Sequence, residues 1–207
     1  MANANAIIES LVSRRTISLY DPAFVLGDDQ IRELVRIATT APTSFNLQNW
    51  RFIAVRTPEA KARLRAVGWD QPKITDAAVT FIICGQLADH SVLPERLAPA
   101  VEAGIMPAKV ATGFEDAARG LYFEHPQRQR DEAVRTGAIG ATALIYAAHA
   151  QGLGSSPMIG FDADALAREF GLADDEVPVM LLSVGSALPQ NWPQKPRRPV
   201  AEVLDFA

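Results

Sequence analysis

The run Ala78 to Cys84, AVTFIIC, sets the terms for everything around it. A strand with one face in water alternates apolar and polar residues. This one, apart from Thr80, is apolar on both sides of the period of two, so both of its faces are covered. Covering both faces takes a layer of structure above the strand and another below. Two more strands are predicted, Trp50 to Val55 (WRFIAV) and Val177 to Val184 (VPVMLLSV). Between and around them lie helices. Ala6 to Arg15 is a short one, and Asp28 or Asp29 caps a second, whose Ile31, Leu34, Val35 and Ala38 recur at helical spacing until the chain nears Pro42. Thr57 and Pro58 start a third that runs to Val67, and Phe114 to Phe123 forms another. Arg128 to Gln151 is the longest, stopped by Gly152 and Gly154; Asp162 caps the last, which ends at Gly171. Helices on a small sheet make an α+β or α/β fold, and no linker divides residues 1–207 into two domains.

Two regions stand apart. From Gln86 to Gln127 the periodicity weakens around Pro94, Pro99, Pro107 and Pro126, and the tail from about residue 188 to 207 carries enough proline to lie as an extended arm. Gly137, Ala138, Gly140, Ala141 and Ala143 give the long helix a small face that a second backbone can approach closely. That face and the arm read as surface for a second copy of the chain.

Composition narrows the function. The 207 residues carry a formal charge of -4, and their 20 basic residues are sixteen Arg and four Lys, so there is no basic field to hold nucleic acid. The single cysteine, Cys84, sits in the apolar run and agrees with a reducing, cytoplasmic setting. No signal peptide is visible, and the apolar stretch Gly137 to Ala150 is shorter than the ~20 residues of a membrane span. His90, His125 and His149 have no second ligand at metal spacing, so no metal is expected. G-x-S-x-G, H-E-x-x-H, Walker and G-x-G-x-x-G signatures are all missing. An enzyme of this sequence leaves its chemistry to a cofactor and needs no catalytic side chain.

Three segments carry more polar groups than their turns require. Ser13-Arg14-Arg15-Thr16-Ile17-Ser18 gathers two guanidinium groups and three hydroxyls, donors suited to a phosphate monoester. Ala41 to Trp50 (APTSFNLQNW) spaces Asn46, Gln48 and Trp50 closely in a polar turn. Gly152 to Asp162 (GLGSSPMIGFD) passes a glycine-rich backbone, whose N–H groups can meet a flat ligand, into a helix start.

Taken in order, these segments resemble the FMN-dependent nitroreductase family. Its pattern R-R-S-x-R/K-x-[FY] matches Arg14 to Tyr20, A-P-S-S-x-N-x-Q-P-W matches Ala41 to Trp50, P-[IM]-x-G-F-D matches Pro157 to Asp162, and P-K-x-R-x-P resembles Gln194 to Pro199. The resemblance runs from about Ile8 to Pro199 and fails mainly in residues 86–127. It implies an α/β/α sandwich with a central, mostly antiparallel sheet, a variable substrate-access segment at 86–127 and a C-terminal arm reaching onto the partner subunit. Arg14, Arg15, Thr16, Lys195 and Arg197 would then hold the ribityl phosphate. Ser18 stands where the family has Lys or Arg, with Arg198 as the replacement charge. Gln71 and Lys73 would meet the pyrimidine edge of the flavin, where a fixed ammonium stabilises the negative charge of reduction. Pro157, Met158, Ile159 and Gly160 would line the flavin, with the Gly160 N–H at N5, and Pro42, Thr43, Ser44 and Asn46 would come from the second subunit.

The implied protein is a homodimer with FMN bound tightly and non-covalently at the interface. NAD(P)H gives a hydride to flavin N5, and a nitroaromatic, a quinone or a similar small oxidised acceptor takes it in ping-pong order. Phe114, Tyr122 and Phe123 are the aromatic candidates for the acceptor side. An oxygen-using or dehalogenating flavoprotein of the same fold, and a flavin-binding sensor or carrier without turnover, are the alternative readings.

Overall fold

The computed structural model describes the chain from Ala2 to Ala207. Its elements are α1 (Ala2–Ser13), α2 (Asp28–Ala38), β1 (Trp50–Val55), α3 (Pro58–Val67), α4 (Lys73–Asp76), β2 (Val79–Gln86), α5 (Leu93–Glu102), α6 (Ala108–Tyr122), α7 (Pro126–Ala150), β3 (Gly154–Met158), α8 (Ala163–Phe170) and β4 (Glu176–Gly185). The four strands form one antiparallel sheet in the order β1-β2-β4-β3.

The apolar run is central, as its composition demands. Val79, Phe81 and Ile83 pack with Leu34, Ala38, Ala141, Leu144 and Ala148 of α2 and α7 on one face. Ile82 and Cys84 pack with Leu64, Ile74 and Leu166 of α3, α4 and α8 on the other. The result is the helix–sheet–helix layering expected, an α+β sandwich around one antiparallel sheet. A third apolar cluster gathers Leu93, Leu97, Ala111, Ala118 and Tyr122 of α5 and α6 around Leu47. Pro178 is tolerated in the interior strand β4 because the β2–β4 register shifts there, with Cys84 opposite Pro178 and Ile83 opposite Met180.

Several expectations are corrected. The cap of α2 is Gly27, whose N–H donates to Gln30 Oε1 at 3.1 Å, and neither Asp28 nor Asp29 takes that place. The segment 86–127 holds two helices and not one, and Gly154 to Met158 is an edge strand where a glycine-rich turn was predicted. The glycines of the small face of α7 turn to the chain's own sheet and not to a second copy, while Ala138 and Ala143 line an open groove. A Cβ on Gly137 would lie 2.7 Å from Val179 Cγ2, and one on Gly140 would lie 3.0 Å from the Phe52 ring, so the glycine side covers the chain's own sheet. At Gly85 the approach is closest of all, 1.8 Å from a built Cβ to the carbonyl oxygen of Ala133, which puts the α7 backbone directly on β2. Among the described residues no helix is long and apolar enough to cross a membrane, and no group of three or more His, Cys, Asp or Glu is placed to hold a metal ion.

Candidate functional site

The end of α1 is fastened to the β3 edge of the sheet. Ile17 N–H donates to Ser155 O at 2.9 Å, and Thr16 pairs with Ser155 as a parallel bridge. The tail is tied to the same segment. Asn191 Oδ1 accepts from Ser18 N–H at 2.7 Å and Leu19 N–H at 2.9 Å, its Nδ2 donates to Leu19 O at 2.7 Å, and Gln194 Nε2 donates to Arg14 O at 3.0 Å. Three of the four sequence motifs therefore meet at one edge.

The phosphate-suited donors are divided there between two cavities. One, of about 310 Å³, is lined by Ser13, Arg14, Arg15, His149 and Gly152–Ser155; the other, about 100 Å³, by Thr16, Ser18, Trp192, Gln194, Lys195 and Arg197. Among the described residues none of Arg14, Arg15, Lys73, Lys195 and Arg197 has a carboxylate within 4.0 Å. Burial first, and then the charge of Lys195, pull the Lys73 ammonium below its usual range, which also places Lys73 within the field of this cluster. Cations gathered without counter-charges make a site that gains by taking an anion. Arg198, expected as the replacement charge for Ser18, differs from them: its Nε is paired with Glu202 Oε2 at 3.1 Å. His149, whose Nε2 lies 3.0 Å from Ser13 Oγ, and Trp192, stacked on Lys195 at 5.5 Å, are cavity residues that sequence reasoning passed over.

Beside this edge the turn after α3 leads to a second group. Trp69 and Asp70 both take left-handed backbone (φ 53°), a conformation rare for such side chains, and Arg65 holds Asp70 at 2.6 Å. Gln71 Nε2 donates to Gly160 O at 2.8 Å, and Lys73 Nζ to Ser156 Oγ at 3.1 Å. Gly160 N–H meets no acceptor among the described residues. Pro157 is exposed and Ile159 is 81% exposed, but Met158 turns into the core beside Leu181, so only its backbone faces outward.

The loop Ala41 to Trp50 lies elsewhere. Phe45, Asn46 and Gln48 have φ of 51°, 59° and 47°, a concentration of left-handed backbone at non-glycine residues. The loop is held by Phe45, edge-on to Phe114 at 5.6 Å and Tyr122 at 6.3 Å, and by Ser44 Oγ at 2.9 Å from Tyr122 O–H. Asn49, buried, donates to Gln86 O at 2.7 Å and accepts from Thr136 Oγ1 at 3.0 Å. Pro42, Thr43 and Ser44 line a cavity of about 590 Å³ with Tyr122, Arg128, Glu132 and Ile139. Asn46 is exposed. Of the aromatic candidates, Phe114 packs in the third cluster, Tyr122 reaches the cavity, and Phe123 sits against His90.

Two independent rulers show how far this loop is from the cationic edge. Trp50 faces Gly85, while Ser155 faces Val184 and, beyond it, Val79. Three inter-strand steps and six residues along β2 come to about 25 Å. Along α7, Glu132 serves the loop and His149 meets Ser13, a separation of about 25 Å at helical rise. The two groups of residues cannot grip the same part of one ligand within one chain.

Comparison with known proteins agrees with the motifs. The model of the nitroreductase family matches residues 11–186. The Bacillus subtilis (strain 168) protein named "Putative NAD(P)H nitroreductase YdgI" is 33% identical over 196 residues, covering 93% of each chain. The "CLA biosynthesis enone reductase" of Lactiplantibacillus plantarum is 26% identical, covering 88% of this chain and 86% of its own. A crystal structure titled as a "putative nitroreductase in complex with FMN" from Exiguobacterium sibiricum 255-15 is 29% identical and superposes with a TM-score of 0.88, covering 97% of this chain and 96% of that one.

Proposed function

The chain belongs to the nitroreductase family, and from that premise we propose that it is an FMN-dependent oxidoreductase that uses NAD(P)H to reduce a nitroaromatic, a quinone or a similar small acceptor in ping-pong order. The single observation that carries the reading is the cation cluster at the β3 edge, which among the described residues has no carboxylate partner, together with the Gly160 N–H just beyond the same strand, which among them has no acceptor. FMN is an anion at one end and a flat hydrogen-bonding ring at the other, so the donor set fits it. Thr16, Ser18, Lys195 and Arg197, with Arg14 and Arg15 beside them, would hold the phosphate. Gln71 and Lys73 would meet the pyrimidine edge, and the backbone of Pro157 to Gly160 the ring. When bound, FMN supplies the carriage of reducing equivalents between NAD(P)H and the acceptor.

The protein's own part is electrostatic and positional. Burial, and after it the charge of Lys195, lower the pKa of Lys73, so an added negative charge nearby would favour its ammonium form. Gln71 holds the Gly160 carbonyl and so anchors the turn that carries the Gly160 N–H. Pro42, Thr43, Ser44 and Asn46 lie about 25 Å away in the same chain, which supports a homodimer in which they complete the partner's site. The free, buried Cys84 supports a cytoplasmic setting.

The test is purification followed by an absorbance spectrum. The expected product is a yellow protein whose chromophore NAD(P)H bleaches without oxygen and a quinone, a nitroaromatic or an enone restores. A protein that stays colourless in added FMN would sink the reading, and one that binds FMN without turnover would be a carrier or sensor.

A further inference from the structure

The hydrogen-bond direction at Ser44 is set from the protein interior. Glu132 is buried on α7, is ion-paired with Arg135, and as a carboxylate offers only acceptors. Tyr122 has one hydrogen on its hydroxyl, and that hydrogen goes to Glu132 Oε2 at 3.0 Å. Burial, the largest influence on Tyr122, raises its pKa, so the hydroxyl keeps its proton. The 2.9 Å contact between Ser44 Oγ and Tyr122 O–H therefore has Ser44 as its donor. Ser44 has then spent its only hydrogen, and what it turns to the 590 Å³ cavity is lone pairs.

A ligand that meets Ser44 must bring a hydrogen. Of the molecules in the proposed reaction, nitro and quinone acceptors carry bare oxygens at their reacting groups. The flavin N3–H belongs to the pyrimidine edge, on the side of Gln71 and Lys73, and the ribityl hydroxyls to the chain that leads to the phosphate at the cation cluster. The nicotinamide of NAD(P)H carries a primary carboxamide with two N–H donors. We propose that Ser44, held as an acceptor by Tyr122 and Glu132, recognises the carboxamide of the nicotinamide. Ser44 is a binding residue in this scheme, and Tyr122 and Glu132 are positioning residues. The inference rests on the reading of the chain as an NAD(P)H-using flavoprotein.

The test uses the FMN-loaded protein and two neutral, isosteric probes, nicotinamide and 3-acetylpyridine, in which a methyl group replaces the amide nitrogen. Binding is read as the change in flavin absorbance on titration, and KM is compared for NADH and its reduced 3-acetylpyridine analogue. The wild type is expected to favour the carboxamide about tenfold, the factor for one hydrogen bond left unmade against a fixed acceptor. Tyr122→Phe frees the Ser44 hydroxyl to rotate and donate, so the preference falls to about twofold or less while the FMN content per chain is unchanged. Glu132→Gln gives Tyr122 an amide donor to accept from, which turns the chain of hydrogen bonds round and lowers or reverses the preference. Equal binding of the two probes by the wild type overturns the proposal, as does a preference that survives both variants. Loss of FMN from Tyr122→Phe overturns it too, because Ser44 would then serve the flavin. A colourless wild type, or a yellow one that NADH does not bleach, instead fails the underlying reading of the protein.

Discussion

The substitution Gly85→Ala tests how the sheet sets the position of the site. A Cβ built at Gly85 lies 1.8 Å from the carbonyl oxygen of Ala133, 2.4 Å from its carbonyl carbon and 2.8 Å from its Cα. All three are backbone atoms, so no rotamer change relieves the contact. Restoring van der Waals distance needs α7 to lift from β2 by about 1.5 Å, and overpacking costs of about 1 to 3 kcal/mol in favourable cases make the upper end the expected one here. At about 2 to 4 °C per kcal/mol for a chain of this size, Tm should fall by roughly 6 to 12 °C. Ala133 is the neighbour of Glu132, so the same shift opens the 3.0 Å contact to Tyr122. Thermal unfolding by circular dichroism, with FMN retained per chain measured alongside, reads both effects. Gly113→Ala, where an added Cβ meets nothing within 4 Å in the interior of α6, is the control and should stabilise by about 0.5 to 1 kcal/mol. A Gly85→Ala melt within about 2 °C of wild type, less than 1 kcal/mol at this size, refutes the reasoning.

Two further outcomes are expected. Arg197→Ala should weaken FMN retention by the loss of a charge-assisted contact, about 1.5 to 3 kcal/mol, whereas Arg198→Ala, whose partner is Glu202, should leave it unchanged; equal losses in a fluorescence titration of the apoprotein would contradict the assignment. Burial, and after it the charge of Glu176, push the Cys84 thiol up to about 12 from an ordinary 9.0, so only the unfolded chain ionises it between those values. Stability from this group is therefore full below about pH 9 and falls as pH rises toward 12, by about 1.4 kcal/mol per unit. Urea unfolding of wild type and Cys84→Ala in that alkaline range should give a shallower decline for the variant, and parallel declines would count against it.

Strands written as short apolar runs were legible in the sequence. Trp50–Val55 and the Thr57–Pro58 helix start were read to the residue, because such a run and a capping residue followed by proline are local signals. The edge strand Gly154–Met158 was not, since GSSPM has little intrinsic preference for a strand; its pairing with β4 and the bridge to Thr16 supply one. Prolines hid α5 and the starts of α6 and α7 by looking like interruptions, yet Pro94 and Pro126 stand in the first turn of α5 and α7 and Pro107 caps α6. The donor residues of the site were visible as types, but not their division between two cavities. The Arg198–Glu202 pair was within reach of a four-residue spacing rule and went unread. Nothing local announces the Ser44–Tyr122–Glu132 chain, whose first link joins residues 78 apart.

The glycines of the small face of α7 show why residues read as an interface belong to the interior. Glycines let α7 sit so close on β2 and β4 that its position is fixed by backbone contact and not by deformable side chains. Its two ends then act as a rigid gauge: Glu132 sets the Ser44 loop, and His149 touches Ser13 beside the cation cluster. In the proposed dimer each site takes its loop from one copy and its cations from the other. An error in the seat of α7 would therefore misplace both halves of both sites together. Side-chain packing between copies can adjust to a small misfit, but a helix that carries two half-sites about 25 Å apart cannot, because correcting one end moves the other. That asymmetry favours spending the close-packing glycines on the chain's own sheet, while Ala138 and Ala143 of the same small face line a shallow groove with Ile139 and Tyr146.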